Sequence, residues 1–396
     1  MHDGQSPLDP GVRTGALDSR ECLRQNANDS QSGEDGMTRR ARCSTLAVVL
    51  VLVSVAHARV EGQQPAAQSA RNARATGWVV PRTADGRPDL EGVWENNSAT
   101  PLERPRQLAD KARLSDEELA DFERRARSLF SPDAEAVFGD ALYLTLLANT
   151  KPGGLGATGS YSQNWLPDRY FEHRTSLIVD PADGKLPAPT AAGAKTRMAA
   201  AGRFGSVGDS AQDMSLQDRC IHYGFPDLFA AYMAVYRIVQ TPQYVAIQME
   251  KIHDTRIIPL DPSMSSGSPR AQSRGDARAH LPSSMHQYMG DSRGWWEGDT
   301  LVVETTNFHP KGNPMGGYNV LSDENLRLTE RFRRTADDTI EYTFTVDDPT
   351  MWTKPWTAMI NWKRSRGELI EYACHEGNYS LRGMLSGARA EEAGKR

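Results

Sequence analysis

A carboxylate in the middle of an apolar strand is the first group in the sequence that is placed to do chemistry. Leu326, Leu328, Glu330 and Phe332 fall at alternate positions, and alternate residues of a strand share one face. Glu330 is therefore expected to point into the protein. A buried carboxylate needs a partner or a raised pKa, which makes Glu330 a candidate general base. A structural ion pair with a nearby arginine is the competing interpretation.

A second group of titratable residues lies in residues 252–258. Their pattern predicts a strand with His253 on one face and both Asp254 and Arg256 on the other. An aspartate and an arginine two residues apart on one face predict a local ion pair, which orients a substrate or only fixes the strand. Asp254 is then a candidate base, His253 a candidate acid, and Arg256 a group that stabilises negative charge.

Tryptophans are abundant in the strand-rich part of the chain. Trp295, Trp296 and Trp356 are predicted to line a groove or cavity for a sugar or a flat apolar ligand. Glu304, which interrupts an apolar run, is a further candidate ligand-binding residue. Ordinary barrel core is the alternative interpretation of the tryptophans.

Two literal motif matches lie in the wrong context. Residues 290–294 match the G-x-S-x-G of a nucleophile elbow, which joins a strand to a helix, but residues 297–299 predict a hairpin turn. Residues 154–159 match the G-x-G-x-x-G of dinucleotide-binding folds, but no predicted strand precedes them. A serine hydrolase and a nucleotide-binding protein are both disfavoured.

Short strands and turns must position these candidate residues. From residue 175 onward the apolar pattern has period two, which predicts a mainly β protein with an antiparallel sheet that closes into a barrel or sandwich. Ser115 and Glu118 form a capping box that starts a helix near residues 115–130, an N-terminal helical appendage. Three long loops are predicted at residues 149–163, 191–208 and 262–282.

Length and charge limit the classes of function. The 396 residues suffice for one large or two ordinary domains. A net charge of −5, with acidic and basic residues interspersed, disfavours nucleic acid as a partner. The 33 glycines and 23 prolines indicate that part of the chain is outside the folded domain.

Residues 37–58 have the order of an export signal. A basic start is followed by an apolar run over residues 46–56, and Ala56 and Ala58 are the small residues that signal peptidase requires. The run is about half the roughly 20 residues of a membrane span. We therefore predict a periplasmic or extracellular protein with no membrane span after signal removal.

These segments divide the chain into four parts. The predicted parts are a start-site artefact over 1–36, a signal peptide over 37–58, a flexible leader over 59–88 and a single β-rich domain over 89–396. Cys220 and Cys374 are the cysteines that remain after signal removal. An oxidising compartment favours a disulfide between them over two buried thiols.

The disulfide would bring residues 375–379 close to residues 218–222. In this polar run His375 is a candidate acid and Tyr379 a candidate ligand-binding residue. His375 and Glu376 also begin like the helix of a zinc protease, but Tyr379 stands in place of the second histidine. No cofactor is predicted, and a divalent metal ion is left open, with His253, His375 and Glu376 as weak candidate ligands.

Four blocks of sequence occur together in a familiar set. They lie at residues 86–94, 290–305, 347–356 and 371–379 and include Gly-Asp-Ser-Arg-Gly-x-Trp-Glu-Gly-Asp-Thr and Glu-Tyr-Ala-Cys-His-Glu-Gly-Asn-Tyr. Together they resemble a large group of exported, uncharacterised bacterial proteins, and this resemblance implies no particular site residues. The Gly-x-Trp at residues 92–94 also resembles the start of lipocalin-like (calycin) barrels, whose interiors hold small ligands.

The leading hypothesis is an exported β-barrel that binds a small organic molecule in a cavity lined by aromatic and buried polar residues. The rival is an extracytoplasmic acid–base or metal-dependent enzyme, a hydrolase or lyase, that acts on a carbohydrate or ester-like substrate. A surface-interaction module would require exposed tryptophans. The sequence indicates no oligomeric state.

Overall fold

The structure is a computed structural model that describes most of the chain after residue 77. The described ranges are 78–129, 135–137, 140–148, 157–162, 169–203, 210–228, 233–261, 280–310 and 321–394. The predicted start-site artefact, the signal peptide and the first part of the leader lie outside them. Residues 154–156, the first half of the G-x-G-x-x-G match, and residues 262–279 of the third predicted loop also lie outside them.

Within these ranges the chain forms twelve strands and four α-helices. The strands are β1 (Gly92–Glu95), β2 (Glu135–Val137), β3 (Ala157–Ser162), β4 (Ile178–Asp180), β5 (Val235–Gln240), β6 (Tyr244–Met249), β7 (Thr255–Pro259), β8 (Asp291–Glu297), β9 (Thr300–Thr306), β10 (Arg327–Ala336), β11 (Thr339–Asp347) and β12 (Trp356–Arg364). The helices are α1 (Asp116–Leu129), α2 (Ala141–Ala148), α3 (Ala191–Arg203) and α4 (Ser380–Gly394).

Nine strands form a nearly closed antiparallel barrel. Their order is β7-β6-β5-β1-β12-β11-β10-β9-β8, and β4 adds to one end of β12. The first and last strands of this order meet where Leu260 bridges to Gly294 and the Asp261 N–H donates to the Gly294 carbonyl oxygen at 2.8 Å. The structure therefore confirms the predicted calycin-like barrel.

Alternation along the strands fills the barrel with large side chains. Leu328, Glu330 and Phe332 of β10 are all 0% exposed, as their spacing predicted. The neighbouring β11 and β12 supply buried aromatic rings in the same way, and the core includes Tyr342, Phe344, Trp356 and Trp362. The interior thus contains several large aromatic rings among aliphatic side chains.

The hairpin predicted at residues 297–299 is confirmed, because it joins β8 to β9. Ser292, the serine of the G-x-S-x-G match, lies within β8, and its Oγ is 2.9 Å from Thr305 Oγ1. A strand continues after this serine where a nucleophile elbow would turn into a helix. The structure thus agrees with the rejection of that motif.

Helix α1 begins at its predicted capping box. The Ser115 N–H donates to Glu118 Oε2 at 2.8 Å, and the Glu118 N–H donates to Ser115 Oγ at 3.3 Å. Phe122 and Ala126 on α1 pack with Tyr143 of α2 in an apolar cluster separate from the barrel core. This cluster is the core of the predicted helical appendage.

Several predicted elements are wrong. Residues 191–208, predicted as a loop, contain α3, because their alanines favour a helix strongly enough to offset the glycines. Residues 368–374, predicted as a strand, form no strand and lead into α4. Near the end of the predicted leader, Arg82 bridges to Pro88, so ordered structure begins before residue 89. No helix in the described part of the chain is both long enough and apolar enough to cross a membrane.

Candidate functional site

The centre of the candidate site is a buried ion pair inside the barrel. Arg256 of β7 donates through Nη2 to Glu330 Oε2 at 2.8 Å, and the residues are 4% and 0% exposed. Tyr342 of β11 donates its hydroxyl to the other carboxylate oxygen, Oε1, at 2.8 Å. Two sequence-predicted site residues, Glu330 and Arg256, are therefore in direct contact.

Aromatic rings continue this contact to a second buried ion pair. Tyr342 lies 4.8 Å from Trp362, which stacks on Tyr236 at 4.2 Å between ring centroids. The Tyr236 hydroxyl donates to Asp227 Oδ2 at 3.2 Å, and Lys251 Nζ donates to the same oxygen at 2.7 Å. We call these seven residues the inner site: Arg256, Glu330, Tyr342, Trp362, Tyr236, Asp227 and Lys251.

The segment of residues 222–228, which we call the plug, packs against the inner site. All of its residues are buried. The Phe225 ring lies 3.7 Å from Cζ of Arg256, and the Tyr223 ring lies 4.4 Å from Nζ of Lys251. The plug therefore places an aromatic face on each of the two buried cations.

The predicted ion pair between Asp254 and Arg256 is wrong. Lys251–His253 forms a 3-10 turn, and Ile252 and His253 have φ of 59° and 58°, so the alternation of β7 begins only at Thr255. Asp254 lies before the strand, where its Oδ2 is 2.9 Å from Nδ1 of His222 in the plug.

His253 accepts a backbone hydrogen bond, with its Nδ1 3.0 Å from the Tyr372 N–H nitrogen. Because positive φ is costly for a β-branched residue, tertiary contacts such as this one must hold the turn. The structure thus gives His253 a structural contact with the segment that precedes α4.

Burial changes the protonation equilibria of the inner site. It raises the pKa of Glu330, although Arg256 and Tyr342 act in the opposite direction. It lowers the pKa of Lys251, which Asp227 opposes. It also raises the pKa of Tyr236 and Tyr342 well above the usual value, so both hydroxyls remain hydrogen-bond donors at neutral pH.

Unpartnered donors lie along the barrel lining. Arg256 uses Nη2 for Glu330, but its Nε and Nη1 have no hydrogen-bond partner among the described residues. The same is true of the indole N–H groups of four buried tryptophans, which are Trp296, Trp352, Trp356 and Trp362. A buried donor without an acceptor costs about 1–3 kcal/mol.

Cys220 and Cys374 form the predicted disulfide, with their Cα atoms 5.7 Å apart. The bond joins the chain just before the plug to the segment before α4, and the Asn378 side chain donates to the Asp218 carbonyl oxygen at 3.1 Å. The predicted proximity of residues 375–379 to Asp218 is therefore confirmed.

A cavity of about 400 Å³, which we call the vestibule, lies between the two disulfide-linked segments. Its lining includes Asp218, Met233, Tyr372, Cys374 and Asn378. Asp218 and Met233 lie before and after the plug in the chain.

Most of the other predicted site residues lie away from the barrel interior. His375 and Glu376 are exposed, Tyr379 is 78% exposed, and Glu376 lines the vestibule. Trp295 lies on the outer face of β8, where its indole N–H donates to Glu297 at 3.0 Å. Trp296 and Trp356 belong to the barrel core. His375 is therefore not brought to Glu330.

A second polar cluster occupies the outer face of β8 and β9. His280 Nδ1 lies 3.0 Å from Asp291 Oδ2, and its Nε2 lies 3.4 Å from Glu304 Oε1. Arg327 Nε lies 3.2 Å from Glu304 Oε2. The predicted residue Glu304 thus belongs to this outer cluster, which is separate from the inner site.

The described residues contain no group of three or more His, Cys, Asp or Glu side chains arranged to hold a metal ion. The weak candidate ligands His253, His375 and Glu376 are among the residues this statement covers. His253 Nδ1 already accepts a backbone N–H.

No protein-family model matches the chain, and it matches neither a curated protein nor a solved structure. Its function is therefore argued from the geometry of the inner site and the outer cluster.

Sequence reasoning missed His222, Asp227 and Lys251 of the inner site and plug, and His280 of the outer cluster. Three of them lie in turns or loops, where no periodicity marks a buried position, and Lys251 directly precedes the predicted strand 252–258 and starts a turn instead. Local composition offered one sign that Asp227 is buried, because this residue lies two positions after the apolar Phe225.

Proposed function

We propose that this protein is an exported β-barrel that binds a small organic molecule at the inner site. The observation that carries the proposal is Arg256, a buried cation with two N–H groups that lack a partner among the described residues. A ligand with acceptor atoms removes that cost, and the aromatic lining supplies apolar contact. The disulfide supports export, since such bonds persist in oxidising compartments.

Access to Arg256 is through the plug. Phe225 covers the guanidinium face and is 1% exposed, and the vestibule lining includes Asp218 and Met233, which precede and follow the plug in the chain. Displacement of Phe225 by a ligand ring exchanges one cation–π contact for another. Binding then requires movement of the plug and leaves the barrel strands in place.

Fluorescence titration with 1,6-diphenylhexatriene, a neutral hydrocarbon dye that carries no hydrogen-bond donor and is bright in apolar surroundings, tests the proposal. We expect saturable uptake at one site per chain. The variant F225L makes displacement easier and should tighten binding by about threefold or more. F122L is the matched control, because Phe122 also lies beside an arginine, Arg125, but in the helical appendage. Absence of saturable uptake by the folded protein, or equal effects of both variants, would overturn the proposal.

Acid–base catalysis at the outer cluster is a second candidate function. It is favoured by the His280 ring, which is 25% exposed and held at Nδ1 by Asp291, an arrangement that orients the imidazole of a general base. Hydrolysis of p-nitrophenyl acetate and p-nitrophenyl glucoside should fall at least about 100-fold in H280Q. H286Q is the control, since His286 Nδ1 contacts only a backbone carbonyl in the same region. No hydrolysis by the wild type eliminates this candidate.

A further inference from the structure

We propose that the ligand of the inner site is a neutral, flat molecule whose polar atoms are all hydrogen-bond acceptors, such as an aromatic ketone, quinone or lactone. This inference rests on the proposed function, because it names the chemical class that the same site takes.

The hydrogen-bonding character of the barrel lining supports an acceptor-only ligand. The unpartnered polar atoms of this lining are donors, namely two nitrogens of Arg256 and the indole nitrogens of Trp296, Trp352, Trp356 and Trp362. The one unpartnered buried carboxylate oxygen among the described residues is Oε2 of Glu250, which precedes Lys251 in the chain. The carboxylates are already used, since Glu330 accepts from Arg256 and Tyr342 and Asp227 accepts from Lys251 and Tyr236. A ligand donor would therefore bring one more unsatisfied group into the barrel, whereas carbonyl or ether oxygens satisfy groups already there.

The charges of the inner site support a neutral ligand. Each buried cation, Arg256 or Lys251, has its own buried carboxylate within hydrogen-bond distance. A charged ligand would add an uncompensated charge to a desolvated interior, which is costly.

The vestibule adds a separate argument against anions. Its lining includes the carboxylates of Asp218, Glu371 and Glu376, and none of the lining residues is basic. An anion that approaches through this opening meets charges of its own sign, so both its rate of entry and its affinity should be low.

The rings of the inner site support a flat shape. Tyr236 and Trp362 stack with an interplanar angle of 2°, and Phe332 stacks on Tyr342 at 4.7 Å. Phe225, which covers Arg256, is itself a flat ring. A planar ligand that replaces Phe225 therefore keeps a flat face on the Arg256 guanidinium, among rings that already stack.

Equilibrium dialysis with three coumarins tests this assignment. Coumarin is neutral and carries only acceptors, coumarin-3-carboxylate is an anion, and 7-aminocoumarin adds donors. We expect coumarin to bind at least about tenfold more tightly than either of the others. Equal or tighter binding of the carboxylate or the amine overturns the ligand class, and so does failure of coumarin to bind while 1,6-diphenylhexatriene binds saturably. Failure of the dye to bind overturns the proposed function itself, so the two failures are distinguishable.

Matched variants locate the effect. W362F keeps an aromatic ring at this position but removes the indole N–H donor, and should weaken coumarin binding about three- to tenfold. W295F makes the same change on the outer face, where the indole already donates to Glu297, and should leave binding unchanged. Equal effects of W362F and W295F would place the coumarin elsewhere and contradict the assignment.

The charge argument has its own variant. E371Q/E376Q removes two exposed carboxylates of the vestibule and should narrow the preference for coumarin over its carboxylate at least about threefold. An unchanged preference would contradict entry through the vestibule as the source of the discrimination against anions.

Discussion

Arg256 on β7 reaches across the barrel interior to Glu330 on β10, and its Nη2 lies 2.8 Å from Glu330 Oε2. Counted around the barrel through the seam between β7 and β8, the two strands are separated by β8 and β9. The pair therefore ties together opposite sides of the seam between β7 and β8. It also fixes the guanidinium on which the proposed binding site depends.

Removal of one partner from this pair should be strongly destabilising. R256M leaves a fully buried carboxylate without its cation, and we expect the free energy of unfolding to fall by about 3–5 kcal/mol. The double variant R256M/E330L should recover much of this loss, because it removes both charges. Urea denaturation monitored by circular dichroism measures both effects.

Arg331, which directly follows Glu330 on β10, offers the control. Arg331 pairs with Glu297 on the outer face, where the side chains are 44% and 42% exposed. R331M should cost less than about 1 kcal/mol. Similar losses in R256M and R331M would show that the interior pair is not desolvated in solution.

Glu330 should make stability fall as the pH rises. Burial raises its pKa above the usual 4.5, so between pH 4.5 and the raised value the folded protein holds a proton that the unfolded chain releases. The free energy of unfolding contributed by this group is fully present below pH 4.5 and is lost as the pH rises through the folded-state pKa.

The variant E330Q isolates this contribution, because glutamine does not titrate. Urea midpoints should be measured from pH 4 to pH 8. The midpoint of the wild type, relative to that of E330Q, should decline as the pH rises above 4.5. Parallel curves for the two proteins would contradict the raised pKa.

Loss of the disulfide should destabilise the whole domain. Cys220 and Cys374 are 154 residues apart in the chain, so the bond restricts a long loop in the unfolded state, and C220S/C374S should cost about 3–5 kcal/mol. C22S/C43S changes one cysteine of the predicted start-site artefact and one of the predicted signal peptide, and should leave the urea midpoint of the full chain unchanged. Thiol labelling of Cys220 and Cys374 in the unfolded, unreduced protein would refute the bond.

Gly294 is predicted to tolerate no larger side chain at the barrel seam. A Cβ at this position would lie 2.9 Å from Ile258 Cγ2 and 3.0 Å from Leu260 Cδ2. G294V should therefore separate β7 from β8 and cost about 1–3 kcal/mol. G367V is the comparison, because only Ser365 Oγ lies within 4.0 Å there, and its effect on the thermal midpoint should be small. An unchanged midpoint for G294V would mean that the seam is looser than described.

The sequence predicted best where one physical rule decides a position. Strand alternation placed Glu330 inside the barrel, the capping box located the start of α1, and the compartment argument paired Cys220 with Cys374. In each case the deciding interaction is local or follows from a single constraint.

The partners of the buried charges could not be predicted in this way. Asp227 meets Lys251 only because the plug folds back onto the turn that begins at Lys251. The same turn has a positive φ at Ile252. It therefore interrupts the strand alternation on which the predicted ion pair between Asp254 and Arg256 depended. Such contacts depend on tertiary structure, and no periodic pattern in the sequence records them.

The position of β1 in the sheet has a consequence for how the chain folds. Trp94 of β1 is paired with Tyr236 on one side and with Arg364 on the other, so the sheet is complete only when segments far apart in the chain have met. Folding rates fall as contacting residues become more distant in sequence, because loop closure must precede the contact. The barrel should therefore fold slowly, and only after β12 has been synthesised. A nascent chain that stays unfolded for this long suits the transport across a membrane that we propose for it.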